Sequence, residues 1–543
     1  MRILFIIIIL FITEIVFSQS KILTKEDTLI GSNTSYRAWW DVTHYHVSVK
    51  PDYTNKSISG YSIITYKVIA DSLPYAMQID LQDPLQIDSV YMDRIKFTNY
   101  KKDNNRWMMF LSSQDKNTGH TIQLFYHGKP KVAVNPPWDG GFVWKKDSLG
   151  NPWMSVACQG AGASVWFPCK DLQSEEPENG ATLTMIVPDT LMAIGNGQLI
   201  FKQKHKDAHI AYTWRVKNSI NSYDIIPYIG KYTLLHDSIE GENGKLITDY
   251  WVLNYHIAKA NMHLKSNVIK TIKCLEHWFG PYPFYDDTYK IVEAPYLGME
   301  HQSNVAYGNF YLNGYAGTDR SKTGWGLKWD FIVVHETAHE WFGNSVTAED
   351  VADNWIHEGF ASYAEALFTE CEFGKEAGND YCAGVKKSIE NDIPIIGKYG
   401  VKKEGSGDMY NKGSQVIQMI RQLVDDDEKF RLLLRDVSKY FYHKIVTTQE
   451  FEEYLILKTG KDLYPLFNQY LRTTQIPRLE YRLTKSKLKV RYTNCIDGFN
   501  MPVKITIDNE LWIYPTTKWQ TITLEKISKN ISLNRNVYVE LVK

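Results

Sequence analysis

The chain has 543 residues, with 61 Lys and Arg against 62 Asp and Glu, a formal net charge of −1. That length exceeds one ordinary core and implies roughly two to four domains. The balanced charge excludes nucleic-acid binding through bulk electrostatics, and 44% apolar with 23% charged residues is the make-up of a globular chain.

Arg2 followed by the apolar run Ile3–Ile12 and by Val16, Phe17 and Ser18 has the layout of a cleaved export signal at 1–18. The run is too short to span a bilayer and Thr13 and Glu14 interrupt it, so no transmembrane anchor is expected. The expected location is the periplasm or the extracellular space, with 19–35 a leader or linker. From 36 to 237 short runs alternate with period two, as in His44-Tyr45-His46-Val47-Ser48-Val49, and turn residues such as Asp139-Gly140-Gly141 separate them. This predicts an all-β domain. In 238–475 the period becomes helical. Val268, Ile269, Ile272, Leu275, Trp278 and Phe279 share a face before Gly280-Pro281, and helices are expected at about 327–343, 355–371, 411–424 and 448–458. Alternation returns after Pro477, which predicts a small β-sandwich-like domain at 476–543. The fold class is multidomain α+β.

None of the six cysteines forms a CxxC pair, which argues against a cysteine metal site. Cys158 with Cys169, or Cys371 with Cys382, could bridge in an oxidising compartment; buried free thiols fit as well.

The strongest chemical signal is His335-Glu336-Thr337-Ala338-His339 inside an apolar-periodic segment. On a helix the two imidazoles share one face and can bind one metal ion. A catalytic Zn²⁺ takes three protein ligands and leaves a position for water, and the intervening glutamate suits a general base. Glu358, nineteen positions after His339 on the next helical pattern, is the expected third ligand.

Around this core the chain resembles the gluzincin zinc aminopeptidases, the family of aminopeptidase N and the leukotriene-hydrolysing enzyme. Leu297-Gly298-Met299-Glu300-His301 stands where that family has Gly-x-Met-Glu-Asn. His339-Glu340-Trp341-Phe342-Gly343-Asn344, Met409-Tyr410-Asn411-Lys412-Gly413, and Ala157-Cys158-Gln159-Gly160 with Phe167-Pro168-Cys169-Lys170-Asp171 match in order, from about 36 to about 472. The resemblance implies a thermolysin-like catalytic domain at 238–475 that holds one Zn²⁺ and acts on peptides with a free N-terminus. It implies Glu336 as general base and Tyr410 as oxyanion donor, with Glu300 and Gln159 reading the α-ammonium and Gly298 and Met299 pairing with the peptide backbone.

The departures are Leu297 and His301 in the exopeptidase motif, and His357 beside the ligand glutamate. His357 points about 100° away from Glu358 on a helix and is not expected to bind metal. The β-rich tail stands where many relatives carry a long helical domain over the active site, so an open site, or a homo-oligomer or partner that caps it, is expected. A secreted endopeptidase and a catalytically silent peptide-binding relative are the alternatives.

Overall fold

The computed structural model describes residues 23–71, 76–484, 486–507, 509–524 and 530–543. The expected export signal at 1–18 lies outside them. Part of the expected leader is structured: Thr24 and Asp27 form a reciprocal capping box that starts α1 (Lys25–Gly31). Arg37 ties this helix down by donating to the carbonyls of Ile30 and Ser32 and to the Asp80 carboxylate.

The N-terminal region is β-rich. Trp40–Asp52 pairs antiparallel with Ser57–Val68 and parallel with Ala181–Pro188 within an eight-stranded sheet. Its alternation works as expected: Tyr45, Val47 and Val49 are buried, while His44 and His46 are half-buried. In a smaller sheet Gly141–Lys146 and Pro152–Ala157 form a hairpin pair. The second of these strands ends by delivering Cys158 and Gln159 to the boundary with the helical region.

That region opens with a sheet, not a helix. Its five strands lie in the order Tyr232–Gly241, Gly244–Leu253, Tyr289–Glu293, Val305–Tyr307, Gly298–Met299. The first two pair from Tyr232↔Leu253 to Gly241↔Gly244, so a division at 237/238 falls inside a hairpin. Its alternation is indistinguishable from that of the strands before it. Gly298–Met299 is the edge strand, held by Tyr307 and Ala306.

Helices then enclose this sheet: α2 (Ile257–Phe279), α3 (Phe331–Ala338), α4 (Trp355–Phe373), α5 (Lys375–Val385), α6 (Asn411–Val424), α7 (Asp427–Tyr440), α8 (Thr448–Thr459) and α9 (Tyr464–Arg472). α2 ends at Gly280, whose φ of 95° suits glycine. α3 is shorter than the expected 327–343. Asp330 caps it by accepting from the backbone of Ile332 and Val333, and Trp325–Leu327 forms a separate 3₁₀ turn. No described helix is long and apolar enough to cross a membrane.

The C-terminal residues form a four-stranded sheet, built on Arg478–Thr484 and Lys487–Thr493, and a three-stranded one built on Val503–Thr506. Both pack on the helical region. The Tyr470 hydroxyl donates to the Tyr538 carbonyl, and Lys386 donates to the carbonyls of Arg535 and Val537.

One disulfide joins α2 to α4, Cys274 to Cys371, with the Cα atoms 6.1 Å apart. Neither pairing left open by the sequence forms; Cys158, Cys169 and Cys382 are buried free thiols, the alternative reading. The bridge links residues 97 positions apart that only helix packing brings together. Replacing both partners (C274S/C371S) releases this long loop and is expected to lower stability by about 2–5 kcal/mol. A thermal melt that is unchanged would show that helix packing alone holds α2 and α4.

Candidate active site

α3 and α4 bring together three of the expected residues. His339 follows the last residue of α3 but keeps helical angles (φ −63°, ψ −20°), so its ring stays one turn from His335. The two Nε2 atoms are 3.3 Å apart, and each lies 3.4 Å from Glu358 Oε2 on α4. Ligands about 2.0–2.1 Å from a tetrahedral zinc stand about 3.4 Å from one another, so these atoms form one face of that tetrahedron. The protonation pattern agrees. His335 Nδ1 faces the Glu365 carboxylate at 2.8 Å and His339 Nδ1 faces the Phe342 carbonyl at 3.0 Å. Both Nδ1 atoms therefore carry hydrogen and both Nε2 atoms present lone pairs. Glu358 Oε2 is buried and accepts no hydrogen bond. Lone pairs that converge in a buried site fit a cation, and the nitrogen–nitrogen–oxygen set fits Zn²⁺.

Glu365 completes the support. It also accepts from the Tyr381 hydroxyl at 2.6 Å, which fixes the His335 ring. It lies seven residues after Glu358 on the same face of α4, a spacing that could have revealed it in the sequence.

Glu336 is buried beside this set, and burial pushes its carboxyl up to about 7 against the opposing pull of the two histidines. A Cβ on Gly298 would stand 2.6 Å from Glu336 Oε1 and 2.9 Å from the Ile332 side chain. Glycine there leaves room for the carboxylate and lets the edge strand lie against α3. The outer backbone of Gly298–Met299 is paired to no other strand among the described residues, which leaves it open to an extended peptide.

Glu300 directly follows this strand. Its carboxylate oxygen accepts from the Gln159 side-chain amide and, at 3.2 Å, from the Tyr223 hydroxyl. With its nitrogen on Glu300, the Gln159 amide turns its oxygen the other way. Glu300, Glu336 and His339 offer ligand atoms within 4.8 Å of one another. Burial raises the Glu300 carboxyl, and His339 opposes that shift.

Tyr410 stacks on the His335 ring with centroids 6.0 Å apart. Burial and the Glu358 charge raise its hydroxyl well above the ordinary value, so it keeps its proton and can donate. Its position is set by backbone contact: a Cβ on Gly413 in α6 would stand 2.9 Å from the Gly359 Cα in α4, next to Glu358. Two glycines face to face let these helices approach closely.

His357 is not part of the metal set; its Nε2 accepts from the Ala348 backbone at 2.7 Å. His301 shares a 2.5 Å hydrogen bond with the Tyr228 hydroxyl, and burial lowers it to about 3, so it is neutral. Sequence reasoning missed Glu365, Tyr223, Glu404 and Arg320, all at the site or lining its cleft of about 450 Å³.

Two substitutions test the geometry. Glu365→Gln is expected to weaken zinc binding about 10–100-fold, measured by competition with a chelating dye. Gly298→Ala, which sets a methyl against Glu336, is expected to cut turnover at least about tenfold while zinc content holds; retained turnover would show that Glu336 does not need that space.

Residues 264–470 match the peptidase family M1 domain. The chain is 24% identical over 446 residues to leukotriene A-4 hydrolase of Xenopus laevis, covering 77% of this chain and 68% of the relative. It is 27% identical over 226 residues to aminopeptidase B of Rattus norvegicus, covering 37% of this chain and 33% of that relative. Among solved structures, Legionella pneumophila aminopeptidase A superposes with a TM-score of 0.74 at 17% identity, over 93% of this chain and 60% of the other. An M1 zinc metallopeptidase of Deinococcus radiodurans gives 0.68 at 18% identity, over 80% of this chain and 95% of the other. Residues 264–470 thus match the peptidase family M1 domain, and over most of its length the chain shares the fold of the M1 zinc metallopeptidases it resembles.

Proposed function

We propose that the chain is a zinc aminopeptidase in which His335, His339 and Glu358 hold one Zn²⁺ and Glu300 selects a free N-terminus. The observation that carries this reading is the buried Glu300 carboxylate beside Glu336 and His339. An α-ammonium bound there puts the first peptide carbonyl two bonds away, over the metal site, while Gln159 holds the Glu300 carboxylate in place through its amide nitrogen. An internal peptide bond would leave the carboxylate buried and unpaired, which disfavours the endopeptidase alternative. The intact set of His335, Glu336, His339, Glu358 and Tyr410 argues against the silent relative.

Zinc held by these residues supplies a Lewis acid for the carbonyl and lowers the pKa of water at the site. Glu336 takes the proton from the attacking water and delivers it to the leaving amine. The Tyr410 hydroxyl donates to the oxyanion of the tetrahedral intermediate. The open edge of Gly298–Met299 aligns the peptide as an added strand.

Two further readings belong to this proposal. The first is export, with 1–18 as a cleaved signal; the Cys274–Cys371 disulfide supports an oxidising compartment. The second concerns cover: no described residue of 476–543 lines the cleft, which leaves room for a second copy or a partner over it. Light scattering at assay concentration tests this, and a fully active monomer removes it.

Chelation is expected to abolish hydrolysis of aminoacyl amides and added zinc to restore it. The same substrates N-acetylated are expected to resist cleavage; equal rates for both would defeat the aminopeptidase reading. Tyr410→Phe is expected to lower kcat about 10²–10³-fold, with little change in zinc content.

A further inference from the structure

The cleft is acidic. Glu300, Glu336, Glu358, Glu365 and Glu404 line it, and Arg320 is the one lysine or arginine among its described lining residues. Arg320 forms no described ion pair or hydrogen bond, although a carboxylate is its chain neighbour. Asp319 is already engaged: its oxygens accept from the backbone and hydroxyl of Ser321 and from the backbone of Gly324. Glu365, also in the lining, serves His335 and Tyr381. The guanidinium instead lies over two rings, 5.0 Å from the Tyr315 centroid and 5.4 Å from that of Phe331. Phe331 in turn stacks on His335 at 5.2 Å. The cation is thus held by aromatic faces with its donors free.

Its place along the cleft is defined by α3. Glu300 lies against His339 at one end of this helix, and Gly298 lies against Glu336 and Ile332, one turn back. The edge strand therefore runs from Glu300 toward Phe331 and Arg320. Two helical turns span about 11 Å, and an extended peptide of two to three residues spans about 7–10 Å. A peptide whose ammonium sits at Glu300 directs the part that becomes the leaving group toward Arg320.

We propose that Arg320 is a specificity-determining residue that binds a substrate carboxylate on the leaving-group side of the scissile bond, so that the preferred substrates carry an anion close behind the first residue. The proposal rests on the aminopeptidase reading above. The carboxylate has two possible sources: the α-carboxylate of a very short peptide, or an acidic side chain that follows the first residue.

The experiment compares kcat and KM of the zinc-loaded protein on two matched pairs that share an N-terminal leucine. One pair is Leu-Ala and its C-terminal amide; the other is the amides of Leu-Glu and Leu-Gln. Wild type is expected to favour the anionic member of at least one pair about tenfold or more, mainly through KM, with the preference shrinking as salt rises. Preference in the first pair identifies the α-carboxylate, and in the second the acidic side chain. Arg320→Gln is expected to bring that ratio near one, and Arg320→Lys to leave an intermediate ratio. A packing role alone would change both members of a pair equally. A wild-type ratio near one in both pairs, or the same ratio in Arg320→Gln, overturns the proposal. If wild type cleaves none of the four, including the uncharged amides, the aminopeptidase reading fails and this proposal with it.

Discussion

Three lone pairs aimed at one point are the constraint on which the rest of this site depends. The Glu365 carboxylate and the Phe342 carbonyl fix both Nδ1 hydrogens, so each neutral imidazole turns its Nε2 lone pair to that point. The third arm, Glu358, is a buried anion. Without a cation the histidines respond to Glu358 by favouring the proton; His339 rises to about 8 despite its burial. Proton and metal thus compete for one geometry. A cation bound there would cross-link α3 to α4 at a buried point, so the site would also be part of the core that holds these helices together.

Selectivity has a different origin. Glu300 directly follows the edge strand of the helical region, but Gln159 and Tyr223, which hold it, come from the β-rich region. The segment behind it is tied the same way: Asn196 donates to the Gln302 carbonyl, the Gly197 backbone donates to Ser303, and Tyr228 meets His301. The Glu300 end of the cleft is therefore a product of the interface. His301, unusual for the family, fits because it is neutral and has a hydroxyl to meet. His335, Glu336, His339, Glu358 and Tyr410 come from one region, whereas Glu300 and its partners come from two.

What the sequence made legible follows from how local each signal is. His335 and His339 are one helical turn apart, and a spacing of four residues is visible without knowing the fold. The order of strands and helices was legible wherever period two gave way to 3.6, but the hairpin Tyr232–Leu253 carried the period of the preceding domain and hid the boundary. α7 was not expected from the sequence, although Phe430, Leu433, Leu434 and Val437 stand at helical spacing. α5, interrupted by Gly378 and Gly384, carried a weaker signal. The Cys274–Cys371 pair and the approach of Arg320 to Phe331 had no sequence signal, because each depends on where separate segments pack.

The contact between Gly359 and Gly413 has a consequence for how such an enzyme changes. Side chains adjust by rotating, whereas two helix backbones in van der Waals contact have no rotamers left to adjust. The spacing between the metal arm on α4 and the hydroxyl at the head of α6 is thus insulated from drift in the surrounding core. Packing substitutions elsewhere on these helices can erode thermal tolerance while the reacting groups keep their distance. The rim residues, which bear no such constraint, are free to diversify toward new peptides.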